Sequence, residues 1–246
     1  MNLLREYIRE LLVEKSLTGR KLERVAKSIA NSVTQALKDE DIKEIFKSRD
    51  EIKFSVRGWK KPKALTWLRM VDVTLIASEK FNSSAAYEYS IDAPPEEREN
   101  SDLLLKLYMP QDYTDAEVDR FRVKFLGAIR HELEHSGQST KILRATQRKI
   151  PDEDAIWASL ESIEEYYVDE AETPAHAADW VLQAKEEGLE AADVIDRELN
   201  NLWHTALEKG FTEDELHPVI NRIRDIYQFY LMTRWPEQDW PVEMRD

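Results

Sequence analysis

Hydrophobic residues recur with period two in one stretch of this chain only, roughly residues 52–109, and helical periodicity fills both flanks. Ile52-Lys53-Phe54-Ser55-Val56 alternates as a half-buried strand does. Much of Ala64 to Ala77 follows suit through Leu65, Trp67, Val71, Val73 and Leu75, and Tyr87–Ile91 and Leu103–Met109 predict two more strands. Asn82-Ser83-Ser84 and Asp92-Ala93-Pro94-Pro95 are the expected breaks. Before this stretch, the spacing predicts amphipathic helices over 2–14 and 20–38, interrupted at Ser16–Gly19, with Ile42–Phe46 continuing the helical region. From Thr114 onward all the periodicity is helical. Strands gathered in one region and helices elsewhere predict an α+β fold, a small, mainly antiparallel sheet packed on helices. The expected organisation is an N-terminal helical segment, 1–48, and one larger domain, 49–246, with a helical C-terminal part. Only 6 Gly and 9 Pro among 246 residues agree with long helices and few loops.

Charge narrows the function. Residues 1–70 carry 17 Lys and Arg against 10 Asp and Glu, whereas residues 71–246 carry 18 against 39. An acidic body lacks the clustered basic face that phosphate binding requires, so no nucleic-acid partner is expected. Lys60, Lys61 and Lys63 beside Trp59 read as a solvated surface. No apolar run reaches the ~18 residues of a membrane span, and Arg5, Glu6, Arg9 and Glu10 interrupt the N-terminal apolar residues, so neither a membrane anchor nor a secretory signal is expected. There is no cysteine, so any metal must rest on His, Asp or Glu.

One motif carries chemistry. Thr114 and Glu117 form a T-x-x-E capping box, and Val118, Phe121, Phe125, Ala128 and Ile129 form the buried stripe of the helix that follows. That helix ends on His131-Glu132-Leu133-Glu134-His135, an H-E-x-x-H. Residues four apart share a helix face, so both imidazoles can reach one ion. Glu132 lies about 100° round the helix, beside the ion, where a general base must stand to take a proton from a metal-activated water. The bland alternative is a charged helix face whose histidines only meet solvent. Its place at the end of an apolar-striped helix preceded by a strand favours the metal site. Glu134 reads as a solvated carboxylate or one that supports the ligands from behind.

The strand Leu103–Met109, the link Pro110-Gln111-Asp112-Tyr113-Thr114 and a helix ending His-Glu-Leu-Glu-His-Ser-Gly-Gln resemble the zincin metallopeptidases. The likeness is greatest to minimal gluzincins and to uncharacterised metallopeptidases of large tailed phages, and covers roughly residues 100–185. It implies a zincin-like fold, a Zn2+ cofactor, a peptide or protein substrate, and hydrolysis of peptide bonds with Glu132 as general base. It also implies an edge strand along the cleft, to which substrate adds as a further strand. Gln138 and Lys141 stand where metzincins carry Gly and His, which sets that class aside. Gluzincins take a third ligand, Glu, from a later helix. Glu172 and Ala175 resemble the E-x-x-A segment of the phage group, so the resemblance makes the ligand set His131, His135 and Glu172. Asp154, Glu165 and Glu170 remain open by ligand chemistry, because Pro174 belongs in a first helical turn and could leave Glu172 just outside it. His176 is a candidate substrate contact or ligand support against a structural reading. Tyr166 and Tyr167 are candidate oxyanion donors against a core reading, and His204 and His217 read as structural.

Residues 1–14 resemble the capsid-targeting helices of internal head proteins in large tailed phages, which are cleaved after L-x-E or I-x-E. Leu12-Val13-Glu14 and Ile8-Arg9-Glu10 both fit; an ordinary docking helix is the alternative. That resemblance implies a place in the host cytoplasm or the virion interior, with capsid association. It also opens a second class of function, a non-catalytic virion-associated or injected binding protein on a zincin-like scaffold.

Overall fold

The computed structural model describes residues 21–56, 68–88, 101–135, 138, 146 and 153–235. The expected helix over 2–14, its tripeptides, the Lys60–Lys63 cluster and the break at Asp92–Pro95 lie outside the described residues. By internal packing the chain forms two compact units, one spanning Gly19–Gly137 and the other containing everything from Gln138 on.

The first unit is built on a four-stranded sheet: β1 (Glu51–Val56), β2 (Leu68–Ala77), β3 (Asn82–Glu88) and β4 (Ser101–Met109). The strand order is β1-β2-β4-β3. β1 pairs antiparallel with β2, β4 lies parallel to β2, and β3 pairs antiparallel with β4, so the sheet is mixed, with two of three pairings antiparallel. The expected α+β class therefore holds.

Register aligns the apolar residues on one face. Val71, Val73 and Leu75 sit opposite Leu103, Leu105 and Leu107, and Ile52 and Val56 sit opposite Leu75 and Val71. These side chains are buried, whereas Met70, Asp72, Thr74 and Ile76 on the other face of β2 are only partly covered. Each fully buried Val or Leu contributes about 1.5–3 kcal/mol. A register slip of one residue would turn the whole apolar set outward.

The expected break at Asn82-Ser83-Ser84 is corrected: these residues begin β3, and the turn falls before them, at 78–81. β3 is an edge strand whose outward positions, Asn82, Ser84 and Ala86, are exposed. Its backbone bonds to β4 outweigh the weak strand preference of Asn and Ser.

Helices complete this unit. α1 (residues 21–37) buries Leu22, Val25, Ala26, Ile29, Ala30, Val33 and Leu37. α2 (Glu40–Lys47) is a separate helix, started by Asp39, whose carboxylate accepts from the Asp41 and Ile42 amides. α3 (Asp115–His135) lies on β3 and β4. Small inward residues, Ser83 and Ala85, leave room for its Phe121 and Phe125, and Phe121 meets Phe81 at 5.2 Å between ring centroids. Tyr113 Oη donates to the Leu37 carbonyl (2.7 Å), Arg122 Nε to Asn31 (2.9 Å) and Lys38 to Asp119 (2.6 Å), so α1 is tied to α3 and its approach.

The elements described in the second unit are all helices: α4 (Glu153–Ile156), α5 (Leu160–Tyr167), α6 (Glu172–Glu187), α7 (Ala191–Glu208) and α8 (Glu213–Arg234). Its core joins Ile163, Trp180, Val181, Val194, Ile195, Leu199, Leu216, Ile223 and Tyr227. No helix among the described residues is long and apolar enough to cross a membrane.

Candidate metal centre

The capping box expected from the sequence starts α3. The Glu117 amide donates to Thr114 Oγ1 (3.3 Å), and the Thr114 amide and hydroxyl donate to Glu117 Oε2 (2.8 and 2.7 Å). Those bonds hold the Glu117 carboxyl below the usual carboxylate range. The buried stripe runs through Val118, Phe121, Phe125 and Ile129 and continues to Leu133, inside the motif. The last turn is thus anchored by its apolar residue. His131 and His135 each stand about 160° round the helix from Leu133, clear of the sheet-facing side.

The two rings meet edge to face, and their Nε2 atoms are 3.1 Å apart. Two nitrogens held at about 2.0–2.1 Å from one tetrahedral ion lie roughly 3.3 Å apart, so the two rings stand close to the separation one ion would impose. An N–H···N bond between opposite tautomers has the same length. Glu132 Oε1 lies 4.0 Å from His131 Nε2. The donor atoms of His131, Glu132 and His135 all fall within 4.8 Å of one another, so the group can hold a metal ion. His135 is buried, and the side chains of His131 and Glu132 are 12% and 15% exposed. Two imidazoles, a carboxylate and no thiolate form a nitrogen–oxygen donor set suited to borderline divalent ions.

Glu134 is not solvated. It is 2% exposed and accepts from Arg130 Nη2 at 2.7 Å, and Arg130 is itself buried. This i,i+4 pair occupies the strip of α3 next to the two histidines. The spacing of Arg130 and Glu134 was visible in the sequence; that both would be buried was not.

Glu172 opens α6 in the second unit. The helix begins at Glu172 itself, so Pro174 sits in the first turn, where a missing amide costs nothing. Asp169 organises this start: its carboxylate accepts from the Ala171 amide (2.8 Å) and from the Thr146 hydroxyl, while its carbonyl accepts from the Thr173 amide (3.0 Å). Gln138 Nε2 donates to the Ala171 carbonyl at 2.7 Å. Of the four carboxylates left open as third ligand, Asp154, Glu165 and Glu170 are exposed and Glu172 is buried. His176 lies one turn on, its Nε2 4.0 Å from Glu172 Oε2.

Tyr166 and Tyr167 pack around His176. The Tyr167 carbonyl accepts from Thr173 Oγ1 (3.0 Å) and Tyr227 Oη (2.8 Å). Burial pushes the Tyr227 phenol well above its usual range, and Tyr167 and Glu172 add to that shift, so it remains a protonated donor. His217 is exposed and lies against Trp203 at 4.7 Å between ring centroids, and His204 is exposed as well. No protein family, curated protein or solved structure matches the chain.

Proposed function

We propose that this protein is a zinc-dependent metallopeptidase of zincin-like fold, in which His131 and His135 hold the metal and Glu132 is the general base. The observation that carries the reading is the convergence of the His131, Glu132 and His135 donor atoms, all within 4.8 Å of one another, on an anchored helix end. Glu172 is the proposed third ligand. Its support is the resemblance of its segment to the gluzincin E-x-x-A and its burial where the competing carboxylates are exposed. A bound Zn2+ supplies Lewis acidity for the scissile carbonyl and lowers the pKa of its water toward about 7.

The chain's own residues do the rest. Glu132 takes a proton from the attacking water and returns it to the departing amine, a shuttle suited to a carboxylate that is mostly buried. The stripe from Val118 to Leu133 fixes the helix, so the base and both imidazoles keep their mutual geometry. The low-dielectric surroundings strengthen each electrostatic contact there.

Elemental analysis of the purified protein and two variants tests the assignment, beside cleavage of a peptide library. Wild type carries about one zinc per chain, Glu132→Gln keeps the zinc while hydrolysis falls by at least 100-fold, and His135→Ala loses the zinc. Full zinc content in His135→Ala would falsify the ligand assignment. A zinc-loaded wild type that cleaves no peptide would leave a metal-binding protein and favour the non-catalytic reading.

A further inference from the structure

Four aromatic rings surround His176. Tyr167 stacks on it at 5.1 Å between centroids, with the planes 20° apart. Trp180 approaches at 5.7 Å, and the edges of Tyr166 and Tyr227 close the cage at 5.7 and 6.4 Å. A phenylalanine would fill this space without a polar atom to desolvate, so packing alone does not explain an imidazole there. Glu172, buried one turn earlier on the same face of α6, sharpens the point: two ionisable groups share a place that the helical core could have made apolar.

We propose that His176 is a metal ligand acting as a pair with Glu172. The proposal rests on the reading of Glu172 as a ligand, and it adds a fourth protein donor that no motif supplied, so an ion that also keeps its water is five-coordinate. E-x-x-x-H places a carboxylate oxygen and an imidazole nitrogen on one helix face, as H-x-x-x-H does in α3. Donors about 2.0–2.2 Å from one ion stand roughly 3.3 Å apart when tetrahedral and at most about 4.2 Å apart. The observed 4.0 Å lies within that reach, and a turn of the Glu172 side chain closes the remainder. The cage fixes the plane of the ring, so Nε2 is presented without a conformational search, as the supporting shell of a metal site must ensure. A nitrogen and an oxygen donor select a borderline divalent ion such as Zn2+ or Co2+ over Ca2+ or Mg2+.

The test uses the full chain loaded with Co2+, whose visible absorption reports the ligand set, and chelator competition for affinity. His176→Phe keeps an aromatic ring in the cage; if it does not fold by far-UV circular dichroism, His176→Asn carries the same measurement. The expected result is native helicity, a changed cobalt spectrum and affinity lower by about 1,000-fold, beyond the 10–100-fold typical of a supporting residue. An unchanged spectrum and affinity in the folded variant overturns the proposal, while metal loss in His135→Ala would leave the α3 site standing. Cobalt retained by His135→Ala but lost in His176→Phe and Glu172→Ala upholds the α6 pair and removes the α3 assignment instead. A wild type that binds no cobalt removes both.

Discussion

A buried carboxylate is tolerated only with a partner, and at the end of α3 Glu134 has one in Arg130, 2.7 Å away and equally buried. Removing one charge leaves the other stranded in low dielectric, a loss of about 3–5 kcal/mol. Glu134→Gln retains shape and some hydrogen bonding, so it should cost less, about 2–3 kcal/mol in urea unfolding. Glu134→Leu paired with Arg130→Met should recover much of that loss, because an apolar pair of similar volume leaves no charge unmatched. A Glu134→Gln protein as stable as wild type would show that the pair contributes little. At this scale the sequence was legible where the chemistry is local. His131, Glu132 and His135 are brought together by helix spacing alone, whereas the burial of Glu134 depends on what covers its side of the helix, which no local pattern encodes. His176 was open to more than one reading in the sequence: Trp180 lies one turn on and Tyr166 and Tyr167 within ten residues, but the ring of Tyr227, from α8, is brought to it only by the packing of the helices.

Tyr113 shows how the element carrying the motif is tied to its surroundings. Its hydroxyl donates to the last carbonyl of α1, and just beyond it Lys43 of α2 pairs with Asp115 at 2.8 Å, at the first turn of α3. Burial pushes the Tyr113 phenol up to about 12; Lys43 opposes the shift, and Asp115 and Glu40 add to it. In the unfolded chain the same proton leaves near pH 10. Between those values the unfolded state binds fewer protons than the folded one, so stability falls as pH rises and is fully present only below pH 10. Tyr113→Phe should be less stable than wild type by about 1 kcal/mol at pH 8, for the lost hydrogen bond. That gap should narrow between pH 10 and 12, where only wild type has a phenol to ionise; chemical denaturation at pH 8 and 11 measures both. A gap of constant size would mean that the phenol titrates alike in both states. Elements themselves were the most legible level. The strands at 52–56 and 103–109 and the capping box at Thr114 follow from alternation and end signals that the fold then uses. Asn82-Ser83-Ser84 misled because an edge strand can be made of turn-formers once a neighbour supplies its backbone partners.

At the scale of the whole molecule, metal binding and folding are linked through the state that can bind. His131 and His135 converge only when α3 is formed, so the unfolded chain lacks the site and zinc stabilises the native state by mass action. At free zinc of 100 times the dissociation constant the gain is about 2.7 kcal/mol. For a chain of this size that corresponds to a rise in Tm of about 5–10 °C. Net charge of -14 works in the same direction, since an acidic surface gathers divalent cations and lowers their escape. That diffuse attraction also sets the control: Mg2+ at equal concentration screens the surface identically but does not suit two imidazoles. Calorimetry of the EDTA-treated protein should therefore show the zinc shift in wild type and in Glu132→Gln, whose ligands are intact. Mg2+ should give a rise below 2 °C, and His131→Ala should respond to zinc no more than wild type responds to Mg2+. If His131→Ala kept the full zinc shift, the stabilisation would come from ions bound elsewhere, and the converging nitrogens of α3 would be a hydrogen-bonded imidazole pair.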